Sequence, residues 1–262
     1  MYSFKHQYTL ITGAGSGIGE AIAYRLAALG SDLLLVGRNL ERLQRVVERC
    51  RALGAEATVA CVDMNSAPSI DAFADQILAA DRPFDCILLN AGISQRSKAL
   101  ETDMQVDRDI MQTNLFGPVQ LAKRLAPHLR SHRTRIAVTS SISGLFGFPL
   151  RSAYCASKHA QFGFFESLEL ENPTVSVTFL IPGRIRTDIS RSAKLGDGSN
   201  YGQMDNGQQN GMSVERCARI AVRAIARGNR RKLIGGKELI MVYLKRWCPP
   251  LFFILARRVN PR

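Results

Sequence analysis

The stretch "YTLITGAGSGIGEAIA", residues 8–23, runs from an apolar, β-branched segment through four glycines into a helical pattern, and its reading decides the fold. Glycines at a strand-to-helix junction let the backbone turn tightly and approach a pyrophosphate closely. The N–H groups and macrodipole of the following helix then attract the phosphates. Strand and helix flank the glycines on both sides here, so the loop of Gly13, Gly15, Ser16, Gly17, Ile18 and Gly19 reads as a dinucleotide-binding turn and not as an ordinary one.

The alternation continues outward from this loop. Apolar runs at 8–12, 32–37, 58–63, 86–90, 135–140 and 175–183 read as strands, and "RRKLIGG" (230–236) adds one more. Helical patterns at 19–30, 39–54, 68–80, 103–130, 152–171 and 213–228 separate them. Near-continuous apolar strands alternating with helices predict a doubly wound α/β (Rossmann) fold: a parallel sheet of about seven strands covered on both faces. The glycine- and amide-rich segment 191–211 is too long for a simple connection and reads as a substrate loop, spanning 188–213 with its flanks. The expected organisation is a nucleotide-binding catalytic domain over 1–240 followed by an apolar and basic extension over 241–262.

The second strand ends at Gly37-Arg38. An NAD site there needs an acid for the ribose hydroxyls; this chain has none and carries a guanidinium suited to a 2′-phosphate. Arg38 therefore favours NADP(H), with NAD(H) still usable. The plainer reading makes it one of several surface arginines beside Arg42 and Arg45.

Hydrophobic residues make up 46% of the 262 and charged residues 22%, a balance that excludes a disordered chain. Six scattered cysteines without a Cys-x-x-Cys pair read as reduced thiols, mostly small core residues. "MYSFKHQYTLITG" lacks the basic and apolar regions of a signal peptide. A cytoplasmic protein is expected. No third ligand accompanies His128 and His132, so no metal site is expected, and Cys155 reads as packing. No nucleic-acid partner is expected.

"SAYCASKHA" (152–160) sets Tyr154 and Lys158 on one helical face, close enough for the ammonium to favour the phenolate. Taken with its neighbours, this pair resembles the classical short-chain dehydrogenases/reductases over about residues 7–190. "TGAGSGIG" is similar to the family's cofactor loop, "VDM" to its adenine contact at Asp63 and Met64, and "LNAG" to the turn Asn90, Ala91, Gly92. Asn114, Ser141, Tyr154 and Lys158 resemble its catalytic tetrad, with Ser141 13 positions before the tyrosine; adjacent Ser140 has the wrong interval. "PGRIRTDI" resembles the nicotinamide segment, with Pro182, Gly183, Ile185 and Thr187.

The resemblance implies an oxidoreductase interconverting a carbonyl and a secondary alcohol on a small or lipophilic substrate. Tyr154 is then the proton donor or acceptor and Lys158 its electrostatic aid and a ribose contact. Ser141 hydrogen-bonds the carbonyl oxygen, and Asn114 holds a water that links Lys158 to solvent. The family also implies a homodimer or homotetramer through the helices at 103–130 and 152–171. Two rivals stay open: a 3-oxoacyl-thioester reductase, and a non-catalytic NADP(H)-sensing protein.

Charge is unevenly placed. From Val214 onward there are 13 Lys and Arg against 2 acids, while the preceding 213 residues hold 22 against 20. "ELIMVYLKRWCPPLFFILARRVNPR" is interrupted by charges and prolines too often to span a bilayer, yet could lie in its interface. It could also cover a substrate opening or a subunit contact. Together with "DGSNYGQMD" it resembles a membrane-associated branch of the same family acting on lipids and steroids.

Overall fold

The computed structural model describes residues 2–258; Met1 and the last four residues of the expected extension lie outside them. Seven strands form one parallel sheet in the order β3-β2-β1-β4-β5-β6-β7. They are β1 (Tyr8–Thr12), β2 (Asp32–Gly37), β3 (Ala57–Cys61), β4 (Cys86–Leu89), β5 (Thr134–Thr139), β6 (Val175–Pro182) and β7 (Arg231–Ile234). The register is continuous, with Leu10 beside Leu34 and Ile87, and Ile136 beside Val177. Because both faces of each central strand are buried, these runs are apolar throughout and do not alternate.

Helices α1 (Gly17–Ala27), α2 (Leu40–Ala52) and α3 (Ala67–Ala79) follow the first three strands. After β4 come α4 (Met104–Met111), α5 (Gly117–Arg124) and α6 (Ala126–Ser131), and after β5 comes α7 (Ser152–Glu171). Two cores result. One packs Ile22, Leu26, Leu43 and Val46 of α1 and α2 against one sheet face, together with Ala221 and Ile225 of a later helix, α8 (Val214–Arg227). The other packs Ile70 and Phe73 of α3, Leu121 of α5 and Phe162 and Phe165 of α7 against the opposite face. Fold class and strand count match the reading of the sequence.

Three boundaries differ. The first helix begins at Gly17, not at 19, so its N-terminus lies inside the glycine loop. The helix expected over 103–130 is broken: α4 passes into a π turn over Gln112–Phe116, then α5, then α6. Prolines cause this. Pro118 and Pro127 lack the N–H that a continuous helix needs, and each sits in the first turn of a new segment. The segment 191–211 is not free chain either. It is stitched by bridges from Gln95 to Lys194 and from Lys194 to Asn200, with Ile185 bridged to Met212 just beyond its end, and it holds one short helical turn at Asn206–Gln209.

The chain ends in α9 (Ile240–Trp247) and α10 (Pro249–Arg258). Phe252 is buried against Phe146, ring centroids 5.1 Å apart, so the tail folds onto the body.

Candidate active site

The site forms where the carboxyl ends of β1, β4, β5 and β6 meet, at the point where strand order reverses between β1 and β4. Open parallel sheets bind their ligands at such a crevice. Gly13 adopts φ +66°, which favours glycine, and a Cβ there would lie 2.8 Å from Ala91 Cα. Ser16 caps α1 without its hydroxyl accepting any first-turn N–H, so those donors face the loop. A Cβ on Gly19 would collide with the Gly13 carbonyl. This loop can hold a pyrophosphate.

Thr12 locks the loop to the next strand's turn. Its hydroxyl accepts from the N–H of Asn90 at 3.0 Å and of Ala91 at 3.1 Å, while Asn90 Nδ2 donates to the carbonyls of Thr12 and Gly13. Thr12 went unassigned at the sequence level, although it directly precedes the glycines. Asp63 follows β3, its carboxylate accepting from Asn65 N–H at 2.9 Å, and Met64 is buried beside it. Arg38 is exposed just past β2, with no ion pair to any described residue. Thr187 reaches back to the loop, its Cγ2 3.2 Å from where a Gly17 Cβ would stand.

Pro118 decides how Asn114 is used. Lacking an N–H, Pro118 cannot donate to the Asn114 carbonyl, which instead accepts from Gln161 Nε2 at 2.7 Å. The Asn114 side chain is engaged too: Oδ1 accepts from Ile93 N–H at 2.8 Å, and Nδ2 donates to the Ile93 carbonyl and the Ser157 hydroxyl. Asn114 thus ties the π turn to α7 and to the turn after β4. Gln161, which makes one of these four hydrogen bonds, carries no signal readable without the fold.

Ser141 leaves the end of β5, and its Oγ accepts from Ser143 N–H at 3.1 Å. Ser140 is turned the other way, donating to the Lys158 carbonyl at 3.1 Å. Tyr154 is 7% exposed. Burial pushes its pKa up, while the Arg151 guanidinium and a hydrogen bond from Ser141 pull it down. Lys158 is buried, and desolvation pushes its ammonium down to about 7. Its Nζ donates to the Thr139 carbonyl at 2.7 Å and lies 5.8 Å from the Tyr154 ring centroid. Tyr154 and Lys158 thus lie on one face of α7, as their helical spacing predicts.

Beyond β6, Ser141 Oγ reaches the Pro182 carbonyl at 3.5 Å, and Gly183 N–H donates to Ile234 at 2.8 Å. Ile185 is buried. Glu238, from the turn before α9, accepts from Arg184 N–H at 2.8 Å and so braces this segment from outside. Four cysteines are buried, Cys155 among them with its thiol pushed up by burial, and Cys61 and Cys248 are exposed. Among the described residues no group of three His, Cys, Asp or Glu could hold a metal. His132 instead meets Asp85 at 3.0 Å.

The profile of the short chain dehydrogenase family matches residues 7–197. The chain belongs to the short-chain dehydrogenase family. "Dehydrogenase/reductase SDR family member 7B" of Xenopus laevis is 38% identical over 97% of this chain and 82% of that protein. A Drosophila melanogaster relative, "Dehydrogenase/reductase SDR family protein 7-like", is 36% identical over 95% and 79%. Among solved structures, a Burkholderia phymatum short-chain dehydrogenase/reductase in complex with NAD superposes with TM-score 0.82, at 26% identity over 100% of this chain and 98% of that one. A Thermococcus sibiricus alcohol dehydrogenase complexed with 5-hydroxy-NADP gives 0.76, at 25% identity over 89% and 97%. The short-chain dehydrogenase assignment makes this an oxidoreductase, and it agrees with the resemblance read from the motifs.

Proposed function

We propose that the protein is an NADP(H)-dependent oxidoreductase interconverting a ketone or aldehyde and its alcohol, with Tyr154 as the proton-transferring group. One observation carries this: Ser141, Tyr154 and Lys158 converge at the sheet edge that also bears the open α1 N-terminus and the Gly13–Gly19 loop. When bound, the reduced nicotinamide supplies the hydride. The chain's own residues handle the rest. Ser141 hydrogen-bonds the carbonyl oxygen as charge develops on it, and Tyr154 delivers a proton there, or removes one in oxidation. Lys158 assists and meets the ribose. Gly13, Gly15, Ser16, Gly17, Ile18 and Gly19 cradle the pyrophosphate, and Arg38 meets the 2′-phosphate. Asp63 and Met64 border the adenine. Asn90, Ala91 and Gly92, with Pro182, Gly183, Ile185 and Thr187, border the nicotinamide end.

The catalytic unit over 1–240, the substrate loop over 188–213 and the extension over 241–262 form part of this reading. So do a homodimer or homotetramer and a cytoplasmic protein held peripherally at membranes. The exposed Trp247, Phe253 and Ile254, flanked by Lys245, Arg246, Arg257 and Arg258, support the membrane contact. No described helix is long and apolar enough to cross a membrane. The test is NADPH oxidation against steroids, acyl thioesters, aldehydes and acyl-dihydroxyacetone phosphate, with Tyr154→Phe as control. Turnover of one class, lost in the variant while NADPH affinity stays within a few-fold, is expected. Preference for thioesters selects the 3-oxoacyl rival. NADPH binding without any turnover selects the sensing protein.

A further inference from the structure

The segment after β6 is gripped from outside by a residue that the proposed chemistry does not use. Strand β6 ends at Pro182, paired with Ile234 of β7, and Gly183 N–H closes the ladder on the Ile234 carbonyl at 2.8 Å. Past that point the two chains part. A single carboxylate oxygen spans the gap: Glu238 Oε1 accepts from Arg184 N–H at 2.8 Å on one side and from Gly236 N–H at 3.1 Å on the other. Glu238 lies 54 positions from Arg184 and belongs to the helical turn Lys237–Leu239 that leads into α9.

Two glycines make room for this oxygen. A Cβ on Gly183 would collide with Glu238 Oε1, and one on Gly235 would stand 2.6 Å from the same atom. Neither glycine has a positive φ, so what a side chain would meet there is the carboxylate and not backbone strain. The other side of the segment is held too. The Arg184 carbonyl accepts from Met212 N–H at 2.9 Å, and Arg186 N–H donates to the Met212 carbonyl at 2.9 Å. Residues 184–186 are thus clamped between Met212 and Glu238. From this clamp Ile185 is buried, and Thr187 reaches Gly17 of the glycine loop. Where a ladder ends, a backbone N–H needs another acceptor, and Glu238 supplies it.

We propose that Glu238 is a positioning residue for the nicotinamide half of the cofactor: by accepting the N–H groups where β6 and β7 separate, it fixes the course of residues 183–187. The inference rests on the proposed reading of that segment as the nicotinamide border. Arg38 and Asp63, proposed for the adenosine half, follow β2 and β3, whereas Glu238 follows β7 at the opposite end of the sheet. Glu238 therefore acts on one half of the dinucleotide and not on the other.

The test is calorimetric titration with NADPH and with adenosine 2′,5′-bisphosphate, which carries the adenosine half alone. Glu238→Ala should weaken NADPH by about three- to tenfold, the scale of one hydrogen bond, and leave the bisphosphate within about twofold. Glu238→Gln, which keeps the Oε1 acceptor, should restore most of the loss. Gly235→Ala reaches the same end from outside the cofactor site, by pushing the carboxylate out of its place. It should match Glu238→Ala, and the two together should lose no more than either alone. Equal weakening of both ligands means general loosening and overturns the proposal. So does unchanged NADPH affinity in Glu238→Ala, or a Gln variant as weak as the Ala one. If Glu238→Ala does not fold, Gly235→Ala decides by the same comparison of ligands. Should the parent chain bind NADH instead, NADH and ADP replace the pair. Failure of the cofactor reading looks different: the parent chain itself then binds neither dinucleotide, and the proposal falls with it.

Discussion

The proposed chemistry rests on Tyr154, a buried phenol within reach of Ser141. Replacing it with Phe removes a proton donor but no cofactor contact, so turnover should fall by at least a hundredfold, read in NADPH oxidation, within the range general acid–base catalysis contributes. Arg38→Asp tests the other end of the site. A charge-assisted contact is worth roughly 1.5–3 kcal/mol, so NADPH affinity should fall about tenfold to a hundredfold while NADH use improves, measured by steady-state kinetics. Lys158 yields a pH signature. Its folded pKa of about 7 lies below the ordinary 10.5, so the folded state binds fewer protons than the unfolded one between those values. Stability from this group therefore rises with pH across that window, and the penalty is complete below about 7. In cofactor-free protein, Lys158→Met should gain most in Tm near pH 6.5 and lose that advantage by pH 10. An equal Tm difference at both would mean that Lys158 is not held neutral. The grouping of Tyr154, Lys158 and Ser141 was legible from spacing; the contacts of Gln161 and Thr12 were not, because they depend on what lies across from them.

At the scale of elements, the broken helix between β4 and β5 is the informative case. Periodicity over 103–130 reads as one helix because the apolar face continues through both prolines. Pro118 nevertheless frees the Asn114 carbonyl, and Gln161 takes it up. The tail shows the same limit. Its mixture of apolar and basic residues left three destinations open, and the fold assigns Phe252 and Ala256 to the body while leaving Trp247, Phe253 and Ile254 outside. Phe252→Ala removes a fully buried ring, a change that costs about 3–5 kcal/mol where the site cannot collapse. Limited proteolysis should then cut within 240–258 before the body unfolds. Cleavage no faster than in the parent chain would mean that α10 is held by other contacts.

For the whole molecule, the question is where the charge asymmetry leads. Helices α9 and α10 carry Lys245, Arg246, Arg257 and Arg258 and no acid, around an exposed apolar surface. Each such cation near an anionic leaflet contributes about 1 kcal/mol, enough together for reversible docking. The full chain should sediment with phosphatidylserine vesicles at low salt. Trp247→Ser, Phe253→Ser and Ile254→Ser combined should release it, because these side chains face outward and Phe252 still anchors the tail. If neither protein sediments and only the substituted one loses its oligomer, the surface is a subunit contact.

Sequence alone determined the doubly wound sheet and the glycine loop, and its spacing singled out Ser141, Tyr154 and Lys158 as the candidate group. These follow from local rules: burial on both faces makes strands apolar, phosphate approach demands glycine, and helical spacing pairs side chains four apart. Tertiary structure alone decided what holds Asn114 in place and which tail residues are covered. Those outcomes depend on groups more than 40 positions apart in the chain, such as Asn114 and Gln161 or Phe146 and Phe252, brought together only by packing. Burial then fixes their partners and exposure in ways that spacing does not encode.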